Sequence, residues 1–101
     1  MPSLEKIEQL LRTQPDDLFL NFGKAMELTR LGRNDEAFTQ FDRVLALDQS
    51  YCPAYFQKGR ALLALQRFDE ARVALQKGIR AAEMAGDEHT KGEIAELLAS
   101  F

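Results

Sequence analysis

The chain of 101 residues repeats itself at a spacing of 34 residues, and this repeat constrains its fold more than any other feature. Between positions 24 and 37, seven of fourteen residues are identical to the residue 34 places later, whereas unrelated sequence gives about one. The identical pairs are Lys24/Lys58, Leu28/Leu62, Leu31/Leu65, Arg33/Arg67, Asp35/Asp69, Glu36/Glu70 and Ala37/Ala71. A chain of this kind is expected to fold as copies of one unit that bury a shared core by stacking.

Apolar residues recur at helical spacing along nearly the whole chain, and no segment alternates as a strand would. Residues typical of helix starts and ends separate these stripes: Ser3, Asp16 or Asp17, Asn34 and Asp87 as N-caps, Pro53 in a first turn, and Gly32 and Gly86 at helix ends. The pattern predicts six helices, at about residues 3–13, 17–31, 34–47, 52–65, 68–85 and 87–100. Short connections predict that neighbouring helices pack as antiparallel hairpins.

A period of 34 residues with two helices in each copy resembles the tetratricopeptide repeat family. In the second copy, Tyr55, Gly59 and Leu62 stand at the family's aromatic, small and bulky positions of the first helix, and Ala71 and Leu75 follow on the second helix. The first copy matches at Ala25, Leu28, Ala37 and Phe41 and departs at Asn21 and Lys24, the latter departure being repeated by Lys58. The small residues are expected to allow two helices to approach to about 8–10 Å.

The resemblance covers nearly all 101 residues and implies an all-α fold, in which antiparallel helix hairpins stack as a short array within one domain. We expect a half-repeat helix at 3–13, a first repeat at about 17–48, a second repeat at about 51–85 and a capping helix at 87–100. The family's usual work is to hold a peptide or partner protein on the concave surface of such an array.

Charge and composition argue against nucleic-acid binding and against association with or insertion into a membrane. The 13 basic and 16 acidic residues give a formal charge of -3, which argues against partners that need a basic surface, such as nucleic acids and anionic membranes. The single cysteine, Cys52, cannot form an internal disulfide, and no basic segment followed by an apolar run opens the chain. The longest apolar stretches fall far short of the ~20 residues that span a bilayer. We therefore predict a cytoplasmic protein.

No group of residues carries an enzymatic or metal-binding pattern. His89 and Glu93 share a helix face, but one nitrogen ligand without a cysteine makes a weak metal site. Ser3, Ser50 and Ser100 lie far in sequence from the one histidine, and Cys52 has no positioned base. The six glycines are scattered singly rather than forming a phosphate loop. We predict no catalytic residue, no cofactor and no metal.

The candidate partner-binding residues lie on the first helix of each repeat, where the resemblance places the concave wall. They are Phe19, Phe22, Met26 and Arg30 in helix 17–31, and Phe56, Gln57 and Arg60 in helix 52–65. Aromatic and thioether groups supply apolar area, and arginine supplies a forked, permanently charged donor. Helix 17–31 is apolar around most of its circumference, so burial in the core stays open as the alternative for Phe19 and Phe22.

Two functions follow from these observations. The first is a non-enzymatic module that binds a peptide or partner protein on the concave face of the first helices. The alternative is a structural or assembly subunit that associates with itself through its terminal helix faces, so weak homo-oligomerisation stays open. The carboxylate-clamp subtype of the family grips chaperone C-termini with lysine and asparagine at some of these concave positions. This chain has Phe22, Met26, Phe56, Gln57 and Arg60 there, which argues against a chaperone-tail adaptor.

Overall fold

A computed structural model describes residues 2–101, and these residues form six α-helices with no strand among them. The helices are α1 (Leu4–Thr13), α2 (Leu18–Arg30), α3 (Asn34–Leu47), α4 (Cys52–Ala64), α5 (Phe68–Ala85) and α6 (Glu88–Leu98). The predicted all-α fold is confirmed, and each predicted helix is found within two residues of its predicted ends. None of the helices within residues 2–101 has both the length and the apolar character needed to cross a membrane.

The contacts within residues 2–101 group them into two compact units, with the division between residues 48 and 49. In the first unit, α1 and α3 both pack against α2. In the second unit, α5 packs against α4 and α6, and α4 also contacts α6. The assignment of residues 1–101 to a single domain stays a prediction.

Side-chain caps begin three of the helices. The Ser3 hydroxyl accepts a hydrogen bond from the Lys6 N–H at 3.2 Å, and the Asp17 carboxylate accepts one from the Leu20 N–H at 2.8 Å. Asp87 caps α6 in the same way. These contacts confirm the N-caps predicted at Ser3, at Asp17 of the pair Asp16/Asp17, and at Asp87.

The predicted N-cap at Asn34 is wrong, because Asn34 is already the first helical residue of α3 and Arg33 occupies the cap position. The Arg33 guanidinium donates to the Glu36 carboxylate, three residues into the helix. Arg67 and Glu70 repeat this contact at the start of α5, with N···O distances of 3.0 and 2.8 Å. The second helix of each repeat therefore begins with an arginine–glutamate pair instead of a side-chain cap.

The core of the first unit forms where α1 and α3 meet α2. Its fully or almost fully buried apolar residues are Ile7, Ala25, Leu28, Ala37, Phe41 and Val44. A buried amide also ties α2 to α3, since Gln40 donates to the Asn21 side-chain oxygen at 2.8 Å. Asn21 in turn donates to the carbonyls of Pro15 and Asp17 at 3.0 and 2.8 Å. The polar residue at the family's aromatic position is thus fully engaged in hydrogen bonds.

Glycine lets the helices of the second unit approach closely. A Cβ placed on Gly59 of α4 would lie 2.4 Å from a methyl carbon of Leu75 on α5. A Cβ on Gly78 of α5 would lie 2.8 Å from the Tyr55 Cβ and 2.9 Å from an Ile94 methyl. The three atoms nearest to a Cβ on Gly59 all belong to the Leu75 side chain. Gly59 and Gly78 therefore set the spacing of α4, α5 and α6.

Candidate functional site

The candidate residues divide between the two units, with one group on α2 and one on α4. On α2, Phe19 lies in the first turn with 77% of its surface exposed, which excludes the core alternative for this ring. Met26 is half-buried, and Arg30, the last residue of the helix, is exposed. Together they present an aromatic ring, a thioether and a guanidinium from one helix.

Phe22 lies closer to the core than Phe19 does. Its side chain is half-buried, and its ring packs against the fully buried Phe41 ring at a tilted angle of 58°, with centroids 6.2 Å apart. This geometry is typical of stabilising aromatic pairs. The structure thus ties Phe22 to the packing of α2 on α3 while leaving part of its ring accessible.

Arg30 is held by a carboxylate that the sequence analysis did not single out. The Glu27 side chain is only 4% exposed, and the Arg30 guanidinium donates to one of its oxygens through both Nε, at 2.9 Å, and Nη2. This hydrogen bond lowers the pKa of Glu27 and raises that of Arg30. Spacing of three residues on a helix could have indicated the pair. Arg30 therefore has a fixed position at the end of α2.

On α4, the three candidate residues lie together on one face. The Arg60 guanidinium lies over the Phe56 ring, 5.6 Å from its centroid, which is within the range of a cation–π interaction. Its Nη1 also donates to the Gln57 side-chain oxygen at 3.4 Å. Phe56 and Gln57 are half-buried, whereas Arg60 is exposed. The structure therefore brings Phe56, Gln57 and Arg60 into one contiguous group.

This group forms one wall of a cleft between α4 and α6. The cleft has a volume of about 310 Å³ and is lined by Phe56, Arg60, Glu93, Glu96, Leu97 and Ser100. Two carboxylates from α6 and the Arg60 guanidinium from α4 thus line the same cleft as the apolar Phe56 and Leu97. We did not predict the α6 residues of this cleft, because we assigned that helix to capping alone. A spacing of three or four residues from Glu93 to Glu96 and Leu97 could have indicated a shared face.

The other residues that we considered for chemistry have structural contacts. The buried Cys52 thiol donates weakly to an Asp87 oxygen at 3.5 Å, and burial and this carboxylate raise the thiol pKa. His89 lies 3.4 Å from a Glu93 oxygen at the exposed surface. Within residues 2–101, no three His, Cys, Asp or Glu side chains converge as a metal site would require.

Residues 53–83 match the family model described as a tetratricopeptide repeat. This range starts at the beginning of α4 and extends through most of α5, so it contains the hairpin in which Gly59 packs against Leu75. It also contains the group formed by Phe56, Gln57 and Arg60. The match therefore falls on the copy in which the residue pattern of the family was clearest.

Two curated proteins are similar to most of this chain. A TPR repeat-containing protein of Pseudomonas aeruginosa is 35% identical over 77 residues, which are 76% of this chain and 13% of that protein. The DnaJ homolog subfamily C member 7 homolog of Schizosaccharomyces pombe is 33% identical over 81 residues, 74% of this chain and 17% of that protein. The chain thus spans less than one fifth of the length of either relative.

Solved structures share the helical architecture. The TPR2B domain in the TPR2B-domain:pHsp70 complex of yeast Sti1 superposes with a TM-score of 0.86 at 19% identity, covering 95% of this chain and 77% of that one. Protein BPP2914 from Bordetella parapertussis superposes with a TM-score of 0.84 at 24% identity, covering 98% and 86%. At these identities the likeness establishes the fold. The repeat matched at 53–83 and the TPR repeat-containing relative show that this chain contains a tetratricopeptide repeat, in the fold that these solved structures share.

Proposed function

We propose that the chain is a non-enzymatic protein–protein interaction module that binds a peptide or partner protein through the first helices of its repeats, α2 and α4. The fold commonly mediates protein–protein interaction, and the Sti1 domain is an example solved as a peptide complex. The observation that carries the proposal is the cleft beside α4, where the Phe56 ring and the Arg60 guanidinium are stacked and accessible. Recognition then needs shape and a few anchors, with no covalent chemistry.

The chemistry of the cleft indicates the kind of segment that fits it. Phe56 and Leu97 line the cleft with apolar atoms, while Arg60 on α4 and the carboxylates of Glu93 and Glu96 on α6 supply charges of opposite sign. An apolar anchor side chain flanked by charges of both signs would satisfy all of these groups. The stacking of Arg60 on Phe56 limits the rotamer freedom that the arginine loses on binding, which favours affinity.

The residues of α2 supply a second group of anchors. An aromatic ring as exposed as Phe19 offers apolar area that a partner can bury. Arg30 is held in place by Glu27, so its remaining donors have a defined direction. We propose that Phe19, Met26, Arg30 and the accessible part of Phe22 contact the partner along with the α4 group.

The proposed partner differs from a chaperone tail. The carboxylate clamp of the family uses lysine and asparagine at some of the concave positions, a set in which this chain has Phe56, Gln57 and Arg60. Glu93 and Glu96 would also repel a terminal carboxylate placed in the cleft. We therefore propose an internal segment of a partner protein instead of its free C-terminus.

Affinity capture from the native cell with Arg60→Glu as the variant tests this function. We expect the reversed charge to weaken binding of the captured partner at least tenfold and to leave the circular dichroism spectrum unchanged, because Arg60 is exposed. Arg12→Glu, an exposed arginine on α1, is the matched control and should retain the partner. Equal affinity of the wild type and Arg60→Glu would contradict the proposed site.

The mass of the isolated protein in solution distinguishes this function from the alternative of an assembly subunit. A binding module should remain monomeric over a range of concentrations in analytical ultracentrifugation. A mass that rises with concentration, and that Arg60→Glu does not change, would favour self-association through the terminal helices.

A further inference from the structure

A second surface, on α5, carries two cations beside the exposed apolar side chain of Met84. Lys77, Arg80, Ala81 and Met84 are spaced along one face of this helix, and with Tyr55 and Gln49 they line a depression of about 190 Å³. Met84 is 67% exposed, which is high for a large apolar side chain. None of these residues belongs to the cleft beside Phe56 and Arg60.

The two cations of this surface differ from most other basic residues of the chain. Arginine is usually paired within one turn here, as in Arg30 with Glu27 and Arg67 with Glu70. Arg80 has one acidic neighbour three residues away, Glu83, and that carboxylate is bound to Lys91 at 3.0 Å. Lys77 has no acidic residue three or four positions away in the sequence. Within residues 2–101, neither Lys77 nor Arg80 forms an ion pair.

The apolar part of the surface is held in place by the core. The half-buried Tyr55 packs against the cluster of Cys52, Ala81 and Ala82. The Tyr55 Cβ lies against the face of Gly78 on α5. A volume of about 190 Å³ is below the size of an ordinary small-molecule pocket and fits a single side chain. The depression is therefore preformed for one apolar residue of a partner.

We propose that this surface, the Lys77/Arg80/Met84 surface, docks an acidic peptide segment that carries an apolar side chain. The apolar residue would occupy the depression against Tyr55 and Met84, while carboxylates on either side would bind Lys77 and Arg80. Charge complementarity selects this occupant, because Lys77 and Arg80 line the depression and have no acidic partner within residues 2–101. The forked guanidinium of Arg80 suits a carboxylate, and the Lys77 ammonium adds a second charge about one turn away.

Fluorescence polarisation with a labelled peptide tests this proposal. The probe has a central leucine and phenylalanine flanked on each side by two glutamates, and the comparison peptide has lysines in place of the glutamates. We expect saturable binding of the acidic peptide only, with affinity that falls several-fold between about 50 and 300 mM salt. The double variant Lys77→Glu/Arg80→Glu should bind the acidic peptide at least tenfold more weakly than the wild type. The same two charge reversals at the exposed positions Lys6 and Arg12 of α1 serve as the control and should change this affinity less than twofold.

Further variants measure the apolar contribution to peptide binding and distinguish this surface from the cleft beside Phe56 and Arg60. Met84→Gln should weaken the acidic peptide several-fold without altering the circular dichroism spectrum, because Met84 is exposed. Arg60→Glu should leave the affinity for this peptide unchanged. The variants of the α5 surface therefore test this proposal separately from the proposed function, which Arg60→Glu tests. The proposal would be overturned by equal binding of the lysine peptide, by unchanged affinity in Lys77→Glu/Arg80→Glu, or by displacement of the peptide by a thymidine oligonucleotide at equal concentration.

Discussion

Gln66 adopts a positive φ of 60°, the same left-handed backbone conformation that Gly32 adopts at 75° one repeat earlier. The two residues close the first helix of each repeat in the same way. The N–H of Arg67 donates to the Leu62 carbonyl at 2.9 Å, just as that of Arg33 donates to Leu28 at 2.9 Å. The repeat therefore conserves a backbone turn for which glycine is suited and glutamine is strained.

Replacing this glutamine should stabilise the protein. Gln66→Gly removes the steric cost of a left-handed side chain, and we expect the free energy of unfolding to rise by about 0.5–1 kcal/mol. Urea denaturation followed by circular dichroism measures the change. Gln76→Gly, at an exposed position within α5, is the control and should lower it by about 1 kcal/mol. A loss of stability in Gln66→Gly would show that the side chain makes a compensating contact.

A second pair of variants tests the close approach of α4 and α5. Gly59→Ala would place a Cβ against Leu75, which is fully buried and cannot swing away, so overpacking should lower stability by about 1–3 kcal/mol. Gly92→Ala on α6 meets no atom within 4 Å and should raise stability by about 0.5–1 kcal/mol. Thermal unfolding of both variants gives the signs. Equal stabilisation by both substitutions would contradict the packing of Gly59 on Leu75.

The cap of α6 should make stability depend on pH in the acidic range. Hydrogen bonds from Thr90 lower the pKa of Asp87 below its ordinary value near 3.8. A lowered folded-state pKa means that the stabilisation is fully present above that ordinary value. It is lost as the pH falls through the lower, folded-state value.

Two substitutions of Asp87 measure this dependence. Asp87→Ala should be less stable than the wild type at pH 7, and the difference should shrink below about pH 4 as the wild-type carboxylate becomes protonated. Asp87→Asn keeps an acceptor for the Thr90 N–H, so it should retain part of the cap and lose its titration. Chemical denaturation at several pH values gives the comparison. A difference between wild type and Asp87→Ala that stays constant down to pH 2 would contradict the assignment.

Helix α6 should be needed for the stability of the second unit. Its fully buried Ile94 contacts the face of Gly78, and α6 packs along α5. Full burial of an apolar side chain such as Ile94 is worth about 1.5–3 kcal/mol, so deletion of residues 87–101 should cause unfolding or concentration-dependent association.

The milder variant Ile94→Ala should lower stability by about 2–5 kcal/mol, whereas Val73→Ala, at an exposed position of α5, should change it by less than about 0.5 kcal/mol. Sedimentation and thermal unfolding provide both readouts. A deletion variant that stays monomeric with an unchanged Tm would show that α6 is a detachable arm.

The sequence predicted the helices well because their signals are local. The apolar stripes and the caps at Ser3, Asp17 and Asp87 each depend on residues within a turn or two of one another. Asn34 misled the prediction because Arg33 and Glu36 supply a pairing that replaces the cap. Capping preference is an average over many helices, and a specific ion pair can override it.

The candidate site was less predictable because it depends on which faces meet. The spacing of Phe19 within an apolar helix did not distinguish core from surface, and only the packing of α1 and α3 on α2 leaves this ring exposed. The burial of Glu27 and the α6 wall of the cleft beside Phe56 depend on contacts that a single helical pattern does not contain. Periodicity identifies a face, and tertiary packing decides what covers it.

The most direct test of partner binding through the first helices is a ¹H–¹⁵N NMR titration of the labelled chain with the partner found by affinity capture. We expect the largest chemical-shift changes at Phe56, Gln57 and Arg60 of α4 and at Phe19 and Met26 of α2, with small changes along α3. Shifts confined to α3, or to the Lys77/Arg80/Met84 surface of α5, with none at Phe56 or Arg60, would contradict binding through the first helices.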